Sequence, residues 1–191
     1  LSARELTPAE RGTAYHLAML HVPVSAGTGR GEIADMVRRL EELRILSAEQ
    51  AAAVDTDAIA AFCGTELYAR MIRAGRLWRE VPFTYGVSAA EAYGLNAGDV
   101  RQALGGDSDR QEGGRDVVLV QGVIDCLFAE PDGLVLVDYK TDAVRGRPGP
   151  AADKHRFQVD MYASAAERIL GMPVKEAYVY FFDGNHIVRL R

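Results

Sequence analysis

The fold of this chain is decided by residues 117–142, whose sequence is VVLVQGVIDCLFAEPDGLVLVDYKTD. Residues 117–128 are mostly apolar and rich in β-branched side chains, and residues 134–137 are entirely aliphatic. Between these runs, Pro131 and Gly133 occupy positions that a tight turn favours. The pattern predicts two antiparallel strands joined by a short turn.

The predicted hairpin brings two carboxylates and an amine together. Depending on whether the turn carries a bulge, the residue that faces Asp125 is Asp138 or an immediate neighbour, and side chains that face each other directly have Cβ atoms roughly 4.5–5.5 Å apart. Because side chains alternate along a strand, Asp138 and Lys140 point to one face and Tyr139 points to the other. Both carboxylates can therefore reach one ion, with the ammonium beside them.

This set of groups suits metal-dependent cleavage of phosphodiesters. Mg²⁺ takes oxygen ligands and is commonly held by one or two carboxylates together with phosphate oxygens of the substrate. A metal-bound water loses its proton more easily, and Lys140 would orient or deprotonate that water or neutralise phosphate charge. The alternative for a lone acid at a strand end is a solvated cap or an ion pair. Two acids and a lysine at one end of an apolar hairpin favour the metal, because buried charges need partners.

A third ligand is predicted from the N-terminal segment. Thr7-Pro8-Ala9-Glu10 has capping-box spacing with proline at the first helical position, so a helix should begin at residue 8 and run to about residue 21. Gly12 and His16 are four residues apart and share one face of this helix, where the glycine allows close approach to the sheet. His16 is a candidate ligand; the alternative is a core or surface histidine bonded to a carbonyl.

The remaining elements follow from periodicity and turn residues. The predicted helices cover residues 32–46, an Ala-rich region from Ser47 that breaks near residues 55–57 and at Gly64, a short helix ending at Gly75, and residues 156–170. The predicted strands cover residues 78–85 and a closing hairpin of residues 174–182 and 186–190 across Asp183-Gly184-Asn185. The glycine-punctuated residues 86–116 are predicted to form a long, mobile loop with one helical turn at most.

Five short motifs occur in the order and approximate spacing of the RecB-like nucleases, a branch of the PD-(D/E)XK superfamily that this chain therefore resembles. They are Gly12-x-x-x-His16, Glu80-Val81-Pro82-Phe83, Gly122-Val123-Ile124-Asp125, Asp138-Tyr139-Lys140-Thr141 and Gln158-x-x-x-Tyr162. The resemblance spans residue 7 to about residue 166. Within that branch, the chain is similar to the C-terminal nuclease domains of the AddA-type subunits of bacterial AddAB helicase-nucleases.

The resemblance implies an α/β fold, a restriction-endonuclease-like mixed β-sheet core flanked by helices with an N-terminal helical segment. We expect a single domain over residues 1–191, in which residues 1–76 are mainly helical and residues 77–191 form the sheet core. One α/β domain is also what 191 residues with 48% hydrophobic content can build.

The resemblance also implies a site. A Mg²⁺ ion, or Mn²⁺ in its place, would be bound by His16, Asp125, Asp138 and the main-chain carbonyl of Tyr139, with Lys140 as the catalytic lysine. Two further sets of side chains would act around this centre. Gln158 and Tyr162 would lie near the site and the DNA strand, unless they belong to an ordinary packed helical stripe, and Glu80 would support the site from an adjacent strand or cap it.

The function implied is that of a nuclease acting on single-stranded DNA from unwound duplex ends, in double-strand-break processing. The strand would be delivered by a helicase part of the same polypeptide, in a complex with an AddB-like partner subunit. The alternative is a catalytically silent module that binds DNA or a partner protein. Several relatives resemble one another in holding an iron-sulfur cluster with four cysteines; because this chain has only two cysteines, Cys63 and Cys126, we expect no such cluster.

Charge and hydropathy narrow the partners. The net charge is −5, but residues 140–156 hold five basic residues against two acidic ones. The candidate contacts to the DNA backbone in this segment are Arg145, Arg147, Lys154 and Arg156, and the alternative is a solvated loop of mixed charge. No apolar run approaches a membrane span and no leader is evident, which predicts a cytoplasmic protein without membrane contact. The start at Leu1 without methionine suggests a piece of a larger polypeptide.

Overall fold

The computed structural model describes residues 5–88 and 117–191. The helices in these ranges are α1 (Pro8–His21), α2 (Arg30–Glu42), α3 (Ala48–Ala53), α4 (Thr56–Cys63), α5 (Glu66–Arg73), α6 (Pro148–Asp153) and α7 (Arg156–Leu170). The strands are β1 (Arg76–Ser88), β2 (Val117–Glu130), β3 (Gly133–Lys140), β4 (Val174–Phe181) and β5 (His186–Arg189). Of the predicted loop 86–116, the first three residues belong to β1, and residues 89–116 lie outside the described ranges.

The described strands form one mixed sheet in the order β1-β2-β3-β4-β5. The predicted hairpin of β2 and β3 is confirmed: the strands are antiparallel, and Glu130 pairs with Gly133 across a two-residue turn. β3 and β4 are parallel, and the chain between them passes through α6 and α7. β4 and β5 form the predicted closing hairpin, in which Phe181 pairs with His186. The sheet and its flanking helices confirm the predicted α/β class.

Side-chain caps fix the ends of the N-terminal helices. At α1 the Thr7 hydroxyl accepts from the Glu10 N–H at 3.2 Å, and the Glu10 carboxylate accepts from the Thr7 N–H at 2.8 Å. The same reciprocal pair opens α3 at Ser47. Asp55 caps α4, so the predicted break near residues 55–57 is confirmed. These local bonds explain why this helical region consists of short helices, each with its own start signal.

The predicted helix 32–46 is wrong at its ends, since α2 spans Arg30–Glu42. The helix stops early because Arg44 takes a positive φ of 58°. The N–H groups after the turn then donate back to the carbonyls of Leu40 and Glu41, which is a Schellman closure. Glycine usually occupies this left-handed position, so an arginine there gives the sequence no stop signal.

β3 is buried on both faces, and the two faces belong to different layers. Val135, Val137 and Tyr139 join one core cluster with the apolar side chains of α1 to α5. In this cluster the Phe62 ring meets the Tyr139 ring edge-on, with centroids 5.4 Å apart. Leu134 alternates to the opposite face, where the buried residues of α7 lie on the same side of the chain's crossover. The C-terminal end of β3 is therefore reachable from both helical layers.

By their internal contacts, the residues fall into two compact units, one of Leu1–Val81 with Ile124–Arg191 and one of Pro82–Val123. Both predicted parts of the chain, residues 1–76 and 77–191, contribute to the first unit, and the single-domain organisation stays a prediction. In the second unit the rings of Phe83 and Tyr85 lie 5.8 Å apart. None of the helices in the described ranges has the length and hydropathy required to span a bilayer.

Candidate active site

Two buried aspartates lie where the β2–β3 ladder ends. The last paired residues are Cys126 and Val137, so the register places Asp125 opposite Asp138 at the next position. Asp125 is 6% exposed and Asp138 is 1% exposed. One Asp125 carboxylate oxygen, Oδ2, accepts from the Tyr139 N–H at 2.7 Å, which continues the ladder with a side chain. The hairpin register alone therefore brings both carboxylates to one end of the central strand.

Lys140 lies beside Asp138 on the same face of β3, as strand alternation requires. Its Nζ is 2.8 Å from Asp138 Oδ2 and 3.1 Å from Oδ1. The ammonium also donates to Gln158 Oε1 at 3.0 Å, and Gln158 Nε2 donates to the Tyr162 hydroxyl at 2.7 Å. The first turns of α7 are thus connected to the end of β3 by a chain of hydrogen bonds that fixes the orientation of the lysine.

One oxygen of this network lacks a hydrogen bond. Asp138 Oδ2 is buried, and among the described residues it has no hydrogen-bond partner. The 2.8 Å approach of Lys140 is close enough for charge attraction, but its geometry is not that of a hydrogen bond. Because buried carboxylate oxygens are normally satisfied, this atom has the free lone pair that a cation ligand requires.

His16 of α1 approaches the same end of the sheet. Its Nδ1 is 3.2 Å from Asp125 Oδ1 and 3.4 Å from Glu80 Oε1, and Glu80 lies on β1. Each of these three residues offers one ligand atom, and the three atoms lie within 4.8 Å of one another. One imidazole nitrogen and several carboxylate oxygens form a donor set that suits a divalent cation. The residues present therefore fit the predicted metal, and Glu80 lies inside the site where the sequence left support and capping open.

The site concentrates negative charge in poorly hydrated surroundings. Burial raises the pKa of Asp138 to about 6, although the neighbouring Lys140 ammonium opposes the shift. Burial, and then the charge of Asp125, also raise the pKa of Glu80. Burial by itself lowers the pKa of His16, but the bond to Asp125 and the two nearby carboxylates outweigh it and raise that pKa above its ordinary value. A dication would relieve this crowding of like charges.

Gly12, one helical turn before His16, faces Thr141 just beyond β3. A Cβ atom at Gly12 would lie 3.7 Å from the Thr141 hydroxyl oxygen, which is an ordinary van der Waals contact. Alanine would therefore fit at this position, whereas a larger side chain would press on Thr141. The predicted close approach of α1 to the sheet is thus present at this point, with space for one methyl group.

The basic segment that follows β3 divides into two kinds of residue. Arg145, Arg147 and Lys154 are exposed, as backbone-binding side chains should be. Arg156 is instead bound to the protein: its guanidinium donates to the Leu190 carbonyl at 3.0 Å and to Asp153 at 2.8 Å. The predicted contact between Arg156 and DNA would have to compete with these bonds.

Two features of the site gave no signal in the sequence. The Arg79 side chain donates to main-chain carbonyls in the last turn of α1, and Glu80 has a positive φ of 49°. Neither a long-range cap nor a left-handed acidic residue has a local pattern. Both cysteines are free thiols, and burial raises the pKa of Cys126 to about 12 and that of Cys63 to about 11, so both resist ionisation.

Comparison with known proteins agrees with this geometry. The sequence profile of the PD-(D/E)XK nuclease superfamily matches residues 2–189. The chain is also similar to several curated proteins, each named as the A-type subunit of an ATP-dependent helicase/nuclease. Those of Geobacillus kaustophilus and Geobacillus thermodenitrificans are 43% and 41% identical over 196 residues, each covering 98% of this chain. That of Desulforamulus reducens is 37% identical over 185 residues, covering 97%. The chain spans 15%, 15% and 14% of these three relatives.

Proposed function

The chain belongs to the PD-(D/E)XK nuclease superfamily, and from this premise we propose that it is a divalent-metal-dependent nuclease domain that hydrolyses phosphodiester bonds of single-stranded DNA. The observation that carries the proposal is the buried pair of Asp125 and Asp138 beside Lys140, with an Asp138 oxygen that lacks a hydrogen bond. An inactive module has no reason to keep such a charged group out of water.

The ligands proposed for a Mg²⁺ or Mn²⁺ ion are His16, Asp125, Asp138 and the main-chain carbonyl of Tyr139. When bound, the cation would lower the pKa of a coordinated water and offset the negative charge of the transition state. The chain's own contribution is to hold the ligands in place before substrate arrives. Asp125 does so through its bond from the Tyr139 N–H, which ties the carboxylate to the backbone of the neighbouring strand.

Lys140 supplies the mobile N–H groups of the reaction. An ammonium has three donors, and among the described residues Asp138 and Gln158 accept from it. One N–H can therefore turn to the attacking water or to a phosphate oxygen, where it would orient the nucleophile or stabilise developing charge. Gln158, held in turn by Tyr162, keeps the ammonium from swinging away from the site.

Single-stranded DNA and a larger assembly are proposed from the relatives' names and from charge. The relatives are named as parts of ATP-dependent helicase/nucleases, and this chain corresponds to 15% of those from Geobacillus. We propose that a helicase part of one long polypeptide delivers the strand in the cytoplasm and that an AddB-like partner completes the complex, in the processing of double-strand breaks. The exposed Arg145, Arg147 and Lys154 would contact the strand's phosphates, while the net charge of −5 keeps the domain's own grip weak.

A cleavage assay tests the proposal. A 5′-labelled single-stranded oligonucleotide is incubated with the protein in Mg²⁺, in Mn²⁺ and in excess EDTA, and Asp138→Ala and Lys140→Ala are compared with Asp35→Ala, an exposed control on α2. We expect cutting by the natural protein and the control only with metal, and none by the two site variants. Cutting by Asp138→Ala at the natural rate would refute the assignment. Oligonucleotide binding without any cutting would indicate the silent module.

A further inference from the structure

Two consecutive residues of β1 both reach α1. Arg79 Nη1 donates to the carbonyls of Met19, Leu20 and Val22 at 3.2, 2.6 and 2.8 Å. The next residue, Glu80, places Oε1 3.4 Å from the Nδ1 of His16, one turn earlier on the same helix. Consecutive side chains of a regular strand point to opposite faces of the sheet, so this arrangement requires a break in the alternation.

The break is visible in the backbone. Glu80 has a φ of +49°, a region that residues with a side chain rarely adopt and that costs free energy. The surrounding structure holds the residue there: Arg79 binds the carbonyls that the end of a helix leaves unsatisfied, and its positive charge suits that end of the helix dipole. The strained residue thus aims a carboxylate at the end of β3.

The aim of this carboxylate is not explained by a pairing with His16 alone. Glu80, His16 and Asp125 present ligand atoms within 4.8 Å of one another, so two carboxylates share one imidazole. An independent observation points to a ligand at the same place, because the 1% exposed Asp138 has a buried oxygen without a hydrogen bond among the described residues. Backbone strain that brings like charges together is useful only if a cation binds between them.

We propose that Glu80 is a direct ligand of the catalytic cation, in addition to the proposed His16, Asp125 and Asp138, and that Arg79 is a positioning residue that holds α1 and Glu80 together. This inference rests on the proposed function, since it requires that the site bind a divalent cation. It adds a ligand from β1 to those from α1, β2 and β3, and it makes the β1–α1 contact a determinant of cation affinity.

Titration of the cation-free protein with Mn²⁺ by calorimetry tests both residues. We expect Glu80→Gln to weaken Mn²⁺ binding by about 10- to 100-fold and Arg79→Met by about 10-fold, as for ligands and their supports at other metal sites. Glu130→Gln and Arg70→Met are matched controls, because these residues form an ion pair at the opposite end of the β2–β3 hairpin and should leave Mn²⁺ affinity unchanged. Equal affinity of Glu80→Gln and the natural protein would overturn the proposal.

A second comparison separates ligation from strain. Glycine adopts a positive φ without penalty, so Glu80→Gly should lose Mn²⁺ affinity as Glu80→Gln does yet unfold at a higher temperature than Glu80→Gln. Should the variants not fold, anomalous diffraction from crystals of the natural protein grown in Mn²⁺ decides: a peak at about 2.0–2.3 Å from a Glu80 oxygen supports the proposal, and a peak bound only by other residues overturns it. A natural protein that binds no Mn²⁺ would instead contradict the proposed function itself.

Discussion

Replacing Asp138 by asparagine should stabilise the cation-free protein while it destroys the activity. Burial raises the pKa of Asp138 from its ordinary value of 3.8 to about 6. At neutral pH the folded protein therefore keeps a carboxylate ionised at a cost, and the difference between these pKa values corresponds to about 3 kcal/mol. The sign follows from the raised pKa: the penalty is fully present above pH 6 and disappears as the pH falls toward 3.8.

Asparagine removes the charge and keeps the shape and an acceptor for the Lys140 ammonium. Part of the gain is lost because Lys140, which is 15% exposed, no longer has its ion-pair partner. We therefore expect a net stabilisation of about 1–2 kcal/mol at pH 7.5, or about 2–6 °C in the melting temperature of a domain of this size. At pH 4.5 the two proteins should differ little. DNA cleavage should fall by at least about 100-fold, because the variant has lost a charged group at the reacting centre.

The assay is thermal unfolding in EDTA at pH 7.5 and pH 4.5, repeated at pH 7.5 with Mg²⁺. Mg²⁺ should raise the melting temperature of the natural protein, because a ligand that binds only the folded state stabilises it, and should have little effect on Asp138→Asn. The exposed Asp35→Asn serves as the control and should respond to Mg²⁺ as the natural protein does. A variant that is less stable than the natural protein in EDTA at pH 7.5, or that still cleaves DNA, would refute the reasoning.

Three further outcomes are expected. Lys140→Met should stop cleavage but leave Mn²⁺ affinity within about twofold by calorimetry, because an ammonium is not a ligand. Arg147→Ala should reduce the slope of log affinity for single-stranded DNA against log salt by about 0.7, whereas Arg156→Ala should lower the melting temperature and leave that slope unchanged, since its guanidinium is bound to the protein. Glu130→Gln should lower the free energy of unfolding at pH 7 by about 2 kcal/mol. Arg70 lowers the pKa of Glu130 to about 2, so in acid titrations this difference should be present above pH 4.5 and vanish as the pH falls toward 2.

The parts of the fold that were predictable are those with local causes. The β2–β3 hairpin was predicted because the turn at residues 131–132 and the two apolar runs fix one register, and that register sets Asp125 opposite Asp138. The starts of α1 and α3 were predicted because their caps lie within four residues of the sequence. The end of α2 was missed because Arg44 adopts a conformation that glycine normally signals.

The parts of the site that were not predictable depend on contacts between distant segments. The Lys140 ammonium meets Gln158 because the crossover returns α7 to the end of β3; sequence spacing within a helix could show only that Gln158 and Tyr162 share a face. The position of Glu80 depends on a positive φ and on the bonds of Arg79 to α1. These are global consequences of packing, and a strand pattern of alternating side chains would have placed Arg79 and Glu80 on opposite faces.

The sheet carries two ionic clusters, and their opposite electrostatics separate structure from function. At the turn end of the hairpin, Arg70 and Lys175 bind Glu130, and the hydrogen bond from Arg70 lowers the pKa of Glu130 to about 2, so this acid stabilises the fold by being charged. At the other end, burial raises the pKa values of Asp138 and Glu80. Acids that make their protein less stable when ionised persist only where the charge has another use. Binding a cation is a use that converts this electrostatic cost into affinity, and it explains why the two ends of one hairpin hold their carboxylates so differently.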